Sequence, residues 1–521
     1  MDNAAHDKVL HHNKVAFINY LAAVFAAFGS FLFGYDSGII GSVISPSYNR
    51  FHEYFHAKNS PLVDGKERVD PNITGAIVSV FAGGAFFGAL LAGFTANKIG
   101  RKRTIQLGSL IATVGCAIQT GAINVGMLIA GRFIAGLAIG VLSMIVPLYQ
   151  AEISPPHARG LLSGWTQQMI GFGFLVASLV GFGCESLTTS DAQWRIPLAI
   201  QIVPAVVLFG GMFFLPYSPR WLASVGREDE ARSALVRLHG GERRADMEVI
   251  DAEFSEIQAQ ISWERENVST SPLDLVRTRP NLHRTLCGCL VQAMCQWTGV
   301  NVNAYFAPTI YSNLGYTGNK PLLINSIQSV WSLVVTFVFI TFLVDRIGRR
   351  KPLIIGPIFM AGFLAWQAGI ASQFTAGKGN SGLGIAGIAS IFLFSGAFSM
   401  SYGPVSWIYQ SEIFPMNLRA MGTSASTAAN WLNNVIISQF TPIGLENLGW
   451  KFFLLFVATN LSNAVLAYFL FPETKGKTLE EIAAVFGDTN VVRPPTEVAI
   501  NEYEDDKKMG EFSHYDRTDK V

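Results

Sequence analysis

The sequence predicts an all-α membrane protein: 12 transmembrane helices in two pseudo-symmetric six-helix bundles, with short cytoplasmic helices between the halves. Three observations carry that expectation. Only 14% of the 521 residues are charged, 50% are hydrophobic, and glycine and phenylalanine number 50 and 38. Soluble domains carry about 25% charged residues, and abundant glycine suits close helix packing in lipid. Twelve runs approach the ~20 apolar residues that a spanning helix needs. Two charged cassettes also recur, in the same order, in each half of the chain.

The runs cover Phe17–Ser37, Ile73–Ala96, Thr104–Ala122, Met127–Tyr149, Leu161–Cys184, Ile196–Leu215, Leu286–Ile310, Leu322–Val344, Pro352–Gln373, Leu383–Tyr409, Gly422–Pro442 and Trp450–Phe471. The first is too long for the apolar core of a signal peptide. It ends on an anomaly, Asp36 within Phe33-Gly34-Tyr35-Asp36. A carboxylate in hydrocarbon is costly and marks function when a partner can be named. The alternative is that Asp36 ends the segment and faces water, but residues 38–44 stay apolar and can prolong the helix.

Basic residues settle the expected orientation. Lys98, Arg101, Lys102 and Arg103 follow run two, His157 and Arg159 follow run four, Arg346, Arg349, Arg350 and Lys351 follow run eight, and Arg419 follows run ten. These loops share one side, which the positive-inside rule makes cytoplasmic. Both termini then lie in the cytoplasm of a multi-pass protein, with the plasma membrane as the expected location. The chain divides into a cytoplasmic N-terminal tail (1–14), a six-helix bundle (15–215), a cytoplasmic linker (216–284), a second bundle (285–472) and a cytoplasmic C-terminal tail (473–521). Within the linker, Ala231, Leu235 and Leu238, then Ile250, Phe254, Ile257 and Ile261, fall at helical spacing and predict amphipathic helices beneath the membrane. From Asp488 the tail is polar and charged, a composition that predicts disorder.

A net charge of +1 gives no electrostatic case for nucleic acid. The five cysteines sit in or beside apolar runs rather than in the polar loop after run one, which argues against an extracellular disulfide framework. All nine histidines lie outside the runs, so no intramembrane histidine metal cluster is expected. No nucleophile–base set falls within the runs, and an enzyme is not expected. No cofactor is expected either, beyond a proton as coupling ion.

The repeats are specific. Tyr149-Gln150-Ala151-Glu152-Ile153-Ser154-Pro155 returns as Tyr409-Gln410-Ser411-Glu412-Ile413-Phe414-Pro415, each followed at equal distance by an arginine, Arg159 or Arg419. Asn97-Lys98-Ile99-Gly100-Arg101-Lys102 returns as Asp345-Arg346-Ile347-Gly348-Arg349-Arg350. Two like bundles suit alternating access to a midplane site. Arg101, Glu152, Arg159, Asp345, Arg349, Glu412 and Arg419 then form a candidate cytoplasmic gate. Glu152 pairs with Arg101 or Arg349, and Glu412 with Arg349 or Arg101, holding the halves together. Loop anchoring at the lipid headgroups is the alternative.

These residues resemble the sugar porter family of the major facilitator superfamily over residues 17 to 482. The likeness rests on Phe33–Asp36, on Gly131-Arg132 with Gly136 and Gly140, on Pro216-Tyr217-Ser218-Pro219-Arg220-Trp221, on Asp345–Arg350 and on Pro472-Glu473-Thr474-Lys475-Gly476. Similarity to proton-coupled fungal and plant members implies a central monosaccharide site. It implies sugar contacts at Gln167, Gln296, Asn301, Phe398, Trp407, Asn430, Trp431 and Asn434, and outer closure by Tyr305 and Phe306. Two positions depart from the family pattern. Cys295 stands where a glutamine is usual, and Asn97-Lys98 where Asp-Arg is usual.

The chemistry agrees without the family. Sugar hydroxyls donate and accept, and an uncharged amide does both without a charge to desolvate. Aromatic faces cover the C–H side of the ring. Each amide taken singly also suits interhelix hydrogen bonding. For the proton, Arg132 is the base deep in an apolar run, at a depth matching Asp36. Burial favours a neutral carboxyl and a nearby guanidinium favours the charged one, so a contact that changes with conformation would load and unload a proton. A static salt bridge is the alternative. The sequence thus predicts a proton-coupled monosaccharide symporter for a hexose, with a pentose second. Uniport, a polyol or quinate-type substrate, and a non-transporting sugar sensor are the alternatives. A monomer suffices for the mechanism.

Overall fold

The computed structural model describes residue 22, residues 25–55, 69–153, 159–239 and 273–475, and scattered positions in 247–271 and 482–487. Side chains at 159–164, 345 and 416–417 also lie outside the description. Twelve spanning segments follow in order. The first half holds α1 (Phe28–Val43), α2 (Pro71–Ile99), α3 (Arg101–Thr120), α4 (Val125–Ile153), α5 (Arg159–Cys184) and α6 (Ala192–Gly211). The second half opens with α7 in three pieces, Arg279–Gln296, Val300–Tyr305 and Ala307–Asn313. It continues with α8 (Lys320–Leu343), α9 (Arg350–Thr375), α10 (Ser381–Glu412), α11 (Met416–Asn447) and α12 (Lys451–Leu470).

Eight helices among the described residues are long and apolar enough to cross a membrane: α2, α4, α5, α6, α8, α9, α10 and α12. The other four depart for local reasons. α1 has only 16 residues between Phe28 and Val43, α3 begins Arg-Lys-Arg, α7 is interrupted, and α11 carries Asn430, Asn433 and Asn434. The expected uninterrupted run through Ile310 is therefore corrected. Gly299 adopts φ +88, a left-handed conformation, and the helix restarts after it. Elsewhere local signals act as expected. Asp70 caps α2, its carboxylate accepting from the Asn72 N–H at 2.7 Å, with Pro71 at the first turn.

In lipid there is no hydrophobic drive between helices, so close backbone approach through small residues carries much of the packing. A Cβ at Gly136 or Gly140 of α4 would run into the Phe81 or Ala85 carbonyl of α2, and one at Gly84 or Gly88 of α2 into the Phe133 or Leu137 carbonyl of α4. The same reciprocity joins α1 and α5: Gly34 abuts the Ile170 carbonyl, and Gly173 the Phe31 carbonyl.

Two seams between the halves carry hydrogen bonds to the neighbouring helix. Ser79 donates to Gln439 at 2.7 Å and Ser424 to the Ala89 carbonyl at 2.8 Å, joining α2 to α11. Gln168 donates to the Leu333 carbonyl at 3.4 Å, joining α5 to α8. The linker forms its own small core, in which Trp221, Ala231, Leu235, Ile250 and Ile257 pack with Phe254 and Ile261. Leu238 instead joins the first half's core. The amphipathic stripes thus close on each other and on the membrane bundle, as their spacing predicts.

Candidate functional site

α1 does not end at Asp36. It continues to Val43, and Asp36 is fully buried, so the water-facing alternative is excluded. Arg132 of α4 meets it, Nη1 lying 3.0 Å from Oδ1 with both side chains about 0–1% exposed. The guanidinium also donates to the Asp36 carbonyl at 3.3 Å and, through Nε, to the Ile77 carbonyl at 3.2 Å. It lies 4.4 Å from the Phe81 ring centre. Asp36 Oδ2 has no hydrogen-bond partner among the described residues.

Two residues further along α1, Gly38 faces a cavity of about 180 Å³ between the halves. Gln167, Gln296, Asn301, Asn430, Asn434, Phe398, Trp407 and Tyr305 all line it, as does Cys295. Among the described residues, no Asp, Glu, Lys or Arg does. Gln296 is the hub. Its Nε2 donates to Asn430 Oδ1 at 2.7 Å and its Oε1 accepts from Asn301 Nδ2. Asn434 donates to the Tyr305 hydroxyl at 3.2 Å and accepts from Ser438 at 2.8 Å.

Trp431 departs from expectation. It is fully buried away from the cavity, its ring against Phe33 and Phe81 and its Nε1 3.3 Å from Ser143 Oγ. Successive helical residues diverge by about 100°, so Asn430 and Trp431 cannot face the same way, whereas Asn430 and Asn434 can. Phe306 likewise lies off the cavity, in the core shared with Ile39, Ile40 and Val43. That core is where α1 meets α7: a Cβ on Gly41 would sit 2.6 Å from the Tyr305 carbonyl oxygen.

The cavity has a wall that sequence reasoning missed. Asn303, Asn325, Gln328 and Ser395 line it. Tyr311 donates to Gln328 Oε1 at 2.5 Å, Gln328 Nε2 to Ser395 at 2.6 Å, and Gln367 to Asn303 at 3.3 Å. The available signal was two amides, Asn325 and Gln328, inside the eighth apolar run.

At the membrane edge bearing the basic loops, Arg101 and Arg349 each form an ion pair within their own half. Arg101 Nη2 lies 2.8 Å from Glu152, and Arg349 Nη2 lies 2.9 Å from Glu412. The two sites match closely: Arg101 also donates to the Ala96 carbonyl, and Arg349 to the Val344 carbonyl. Each arginine follows a glycine with φ of +85 or +92, Gly100 or Gly348, which turns the chain back toward its own helix. Arg419 lies near the Phe414 carbonyl at 3.5 Å. The Arg159 and Asp345 side chains lie outside the described residues. Glu473 joins this edge, accepting from the backbone N–H groups of Arg349, Arg350, Thr474 and Lys475.

A duplicated bundle of twelve helices around an uncharged, amide-lined cavity defines a multi-pass membrane carrier. Residues 22–486 match the family described as Sugar (and other) transporter. The chain is 36% identical to the MFS-type transporter criB of Aspergillus cristatus, covering 91% of this chain and 94% of that one. It is 34% identical to the MFS glucose transporter mfs1 of Aspergillus flavus, with 90% and 89% covered. Among solved structures, the proton:xylose symporter XylE bound to 6-bromo-6-deoxy-D-glucose superposes with a TM-score of 0.75 at 26% identity, covering 90% and 99%. The chain belongs to the sugar porter family of the major facilitator superfamily and is a sugar transporter, not an enzyme.

Proposed function

We propose that the protein is a proton-coupled monosaccharide symporter of the plasma membrane, both termini cytoplasmic, taking a hexose and secondarily a pentose. The observation that carries the coupling is the Asp36–Arg132 pair, fully buried and beside the cavity rather than in it. Asp36 Oδ2, which has no donor among the described residues, is the atom to which a proton binds. Protonation neutralises the carboxylate, weakens its hold on Arg132 and lets α1 move relative to α4. XylE, named a proton symporter, supports the same reading. No cofactor enters beyond the proton.

Gln167, Gln296, Asn301, Asn430 and Asn434 bind the sugar hydroxyls, with Phe398 and Trp407 against its apolar face. A lining without a cation favours a neutral sugar over a quinate-type anion, which would be desolvated without a counter-charge. Tyr305 and Phe306 close the outer side. The Arg101–Glu152 and Arg349–Glu412 pairs hold each half's own cytoplasmic edge in shape, and so set the surfaces that the halves present to each other.

The test is uptake of labelled glucose, xylose and quinate in a transporter-deficient host at several external pH values. Asp36→Asn is expected to abolish accumulation against a gradient while sugar exchange persists. A mutant that concentrates sugar as well as wild type does would overturn the coupling. Preferential uptake of quinate would overturn the neutral-substrate reading.

A further inference from the structure

The break in α7 frees backbone carbonyls that, in lipid, have no water to turn to. Two are met locally: Ala293 accepts from the Trp297 N–H, and Gln296 from the Gly299 N–H. Cys295 accepts from the Thr298 hydroxyl at 2.7 Å. The other three are met by a neighbouring helix. Asn463 donates to the Met294 carbonyl at 3.1 Å, Thr459 to Trp297 at 2.7 Å and Asn460 to Thr298 at 2.9 Å. All three donors come from α12. With Phe456 they fall at i, i+3, i+4 and i+7, a single helical face. Phe456 completes the dock, since a Cβ on Gly299 would lie 2.9 Å from its ring. Asn460 and Asn463 are buried, at 0% and 4% exposure.

We infer that this polar stripe of α12 is a clamp that sets the position of the middle piece of α7. That piece carries Asn301, on the cavity, and Tyr305, against α1. Holding the carbonyls that lead into the Gly299 turn fixes the angle at which Val300–Tyr305 leaves the first piece. Phe456, Thr459, Asn460 and Asn463 touch neither the cavity nor α1 in this arrangement and are positioning residues. Trp297 is held from the other side, its Nε1 donating to Asn433 of α11 at 2.9 Å. The turn is therefore gripped between two helices of its own half, and α12 contributes to closure without facing the sugar path.

The inference rests on the roles given above to Asn301 and Tyr305, but its readout depends neither on the sugar carried nor on proton coupling. Cys295 lines the cavity and reports access to it. Its alkylation by a membrane-impermeant thiol reagent, applied from the outer face and read by mass spectrometry, measures how often the outer side opens. Thr459→Val keeps the shape and removes the donor; Thr459→Ser keeps the donor. The valine variant is expected to label Cys295 about three- to tenfold faster than wild type, the range that one lost interhelix hydrogen bond allows. The serine variant is expected to match wild type. Wild-type labelling in Thr459→Val overturns the clamp, as does equal acceleration in both variants, which would make the contact one of packing alone. Asn463→Leu, which removes the donor to Met294, is expected to accelerate labelling in the same direction. It decides the matter if Thr459→Val does not reach the membrane, and wild-type labelling there overturns the clamp equally.

Discussion

Gln296→Ala tests the cavity at its hub. The Gln296 amide makes two side-chain hydrogen bonds, to Asn430 and Asn301, and lines the cavity with both. Truncation removes one of the proposed sugar ligands and leaves two buried asparagines each short of a partner. Leaving such groups unsatisfied costs about 1–3 kcal/mol. At about 1.4 kcal/mol per tenfold, apparent affinity should fall about 5- to 150-fold. The loss is in binding, so KM should rise with the maximal rate little changed. Initial-rate uptake of glucose and xylose over a wide concentration range, normalised to surface expression, reads both constants. If KM stays within about twofold of wild type in Gln296→Ala and in Asn301→Ala, one lost hydrogen bond is not being felt and the sugar binds elsewhere.

Two further outcomes follow. Gly41→Leu places a side chain against the Tyr305 carbonyl, and overpacking of about 1–3 kcal/mol should disfavour the outer-closed state. Net uptake should fall at least about fivefold while binding from outside persists, measured as displacement of a labelled sugar. At Glu473, burial raises the carboxyl, but backbone N–H groups led by that of Arg349 outweigh it and hold the group below its ordinary 4.5. Its contribution to stability is therefore present at neutral pH and lost as the pH falls below that value. Glu473→Gln should melt earlier than wild type at pH 7 in a thermal-shift assay, and the two should converge in acid; a constant gap across pH would contradict this.

Much of this was legible in the sequence because membrane helices declare themselves one at a time. The repeated cassettes gave the two halves, and a lone Asp and Arg at matching depth found each other without further help. What failed had a different character. Trp431 was grouped with Asn430 by adjacency, where helical geometry separates them. The arginines were allowed to pair across halves, although Gly100 and Gly348 turn each one back. Thr459, Asn460 and Asn463 were invisible as a group because their partners are backbone carbonyls at a break, and a break at Gly299 leaves no mark in hydropathy. The amides of α8 were overlooked for the related reason that one polar residue in an apolar run does not say which neighbour it faces.

The glycine contacts of the first half carry one more consequence. α2 and α4 are interlocked backbone to backbone, and so are α1 and α5. At these glycines no side chain stands between the backbones that could yield, so each couple tends to move as one stiff plank. Asp36 belongs to one plank and Arg132 to the other. The ion pair is thus a rivet between the two couples, and under the proposed coupling a proton arriving at one oxygen would loosen four helices at once.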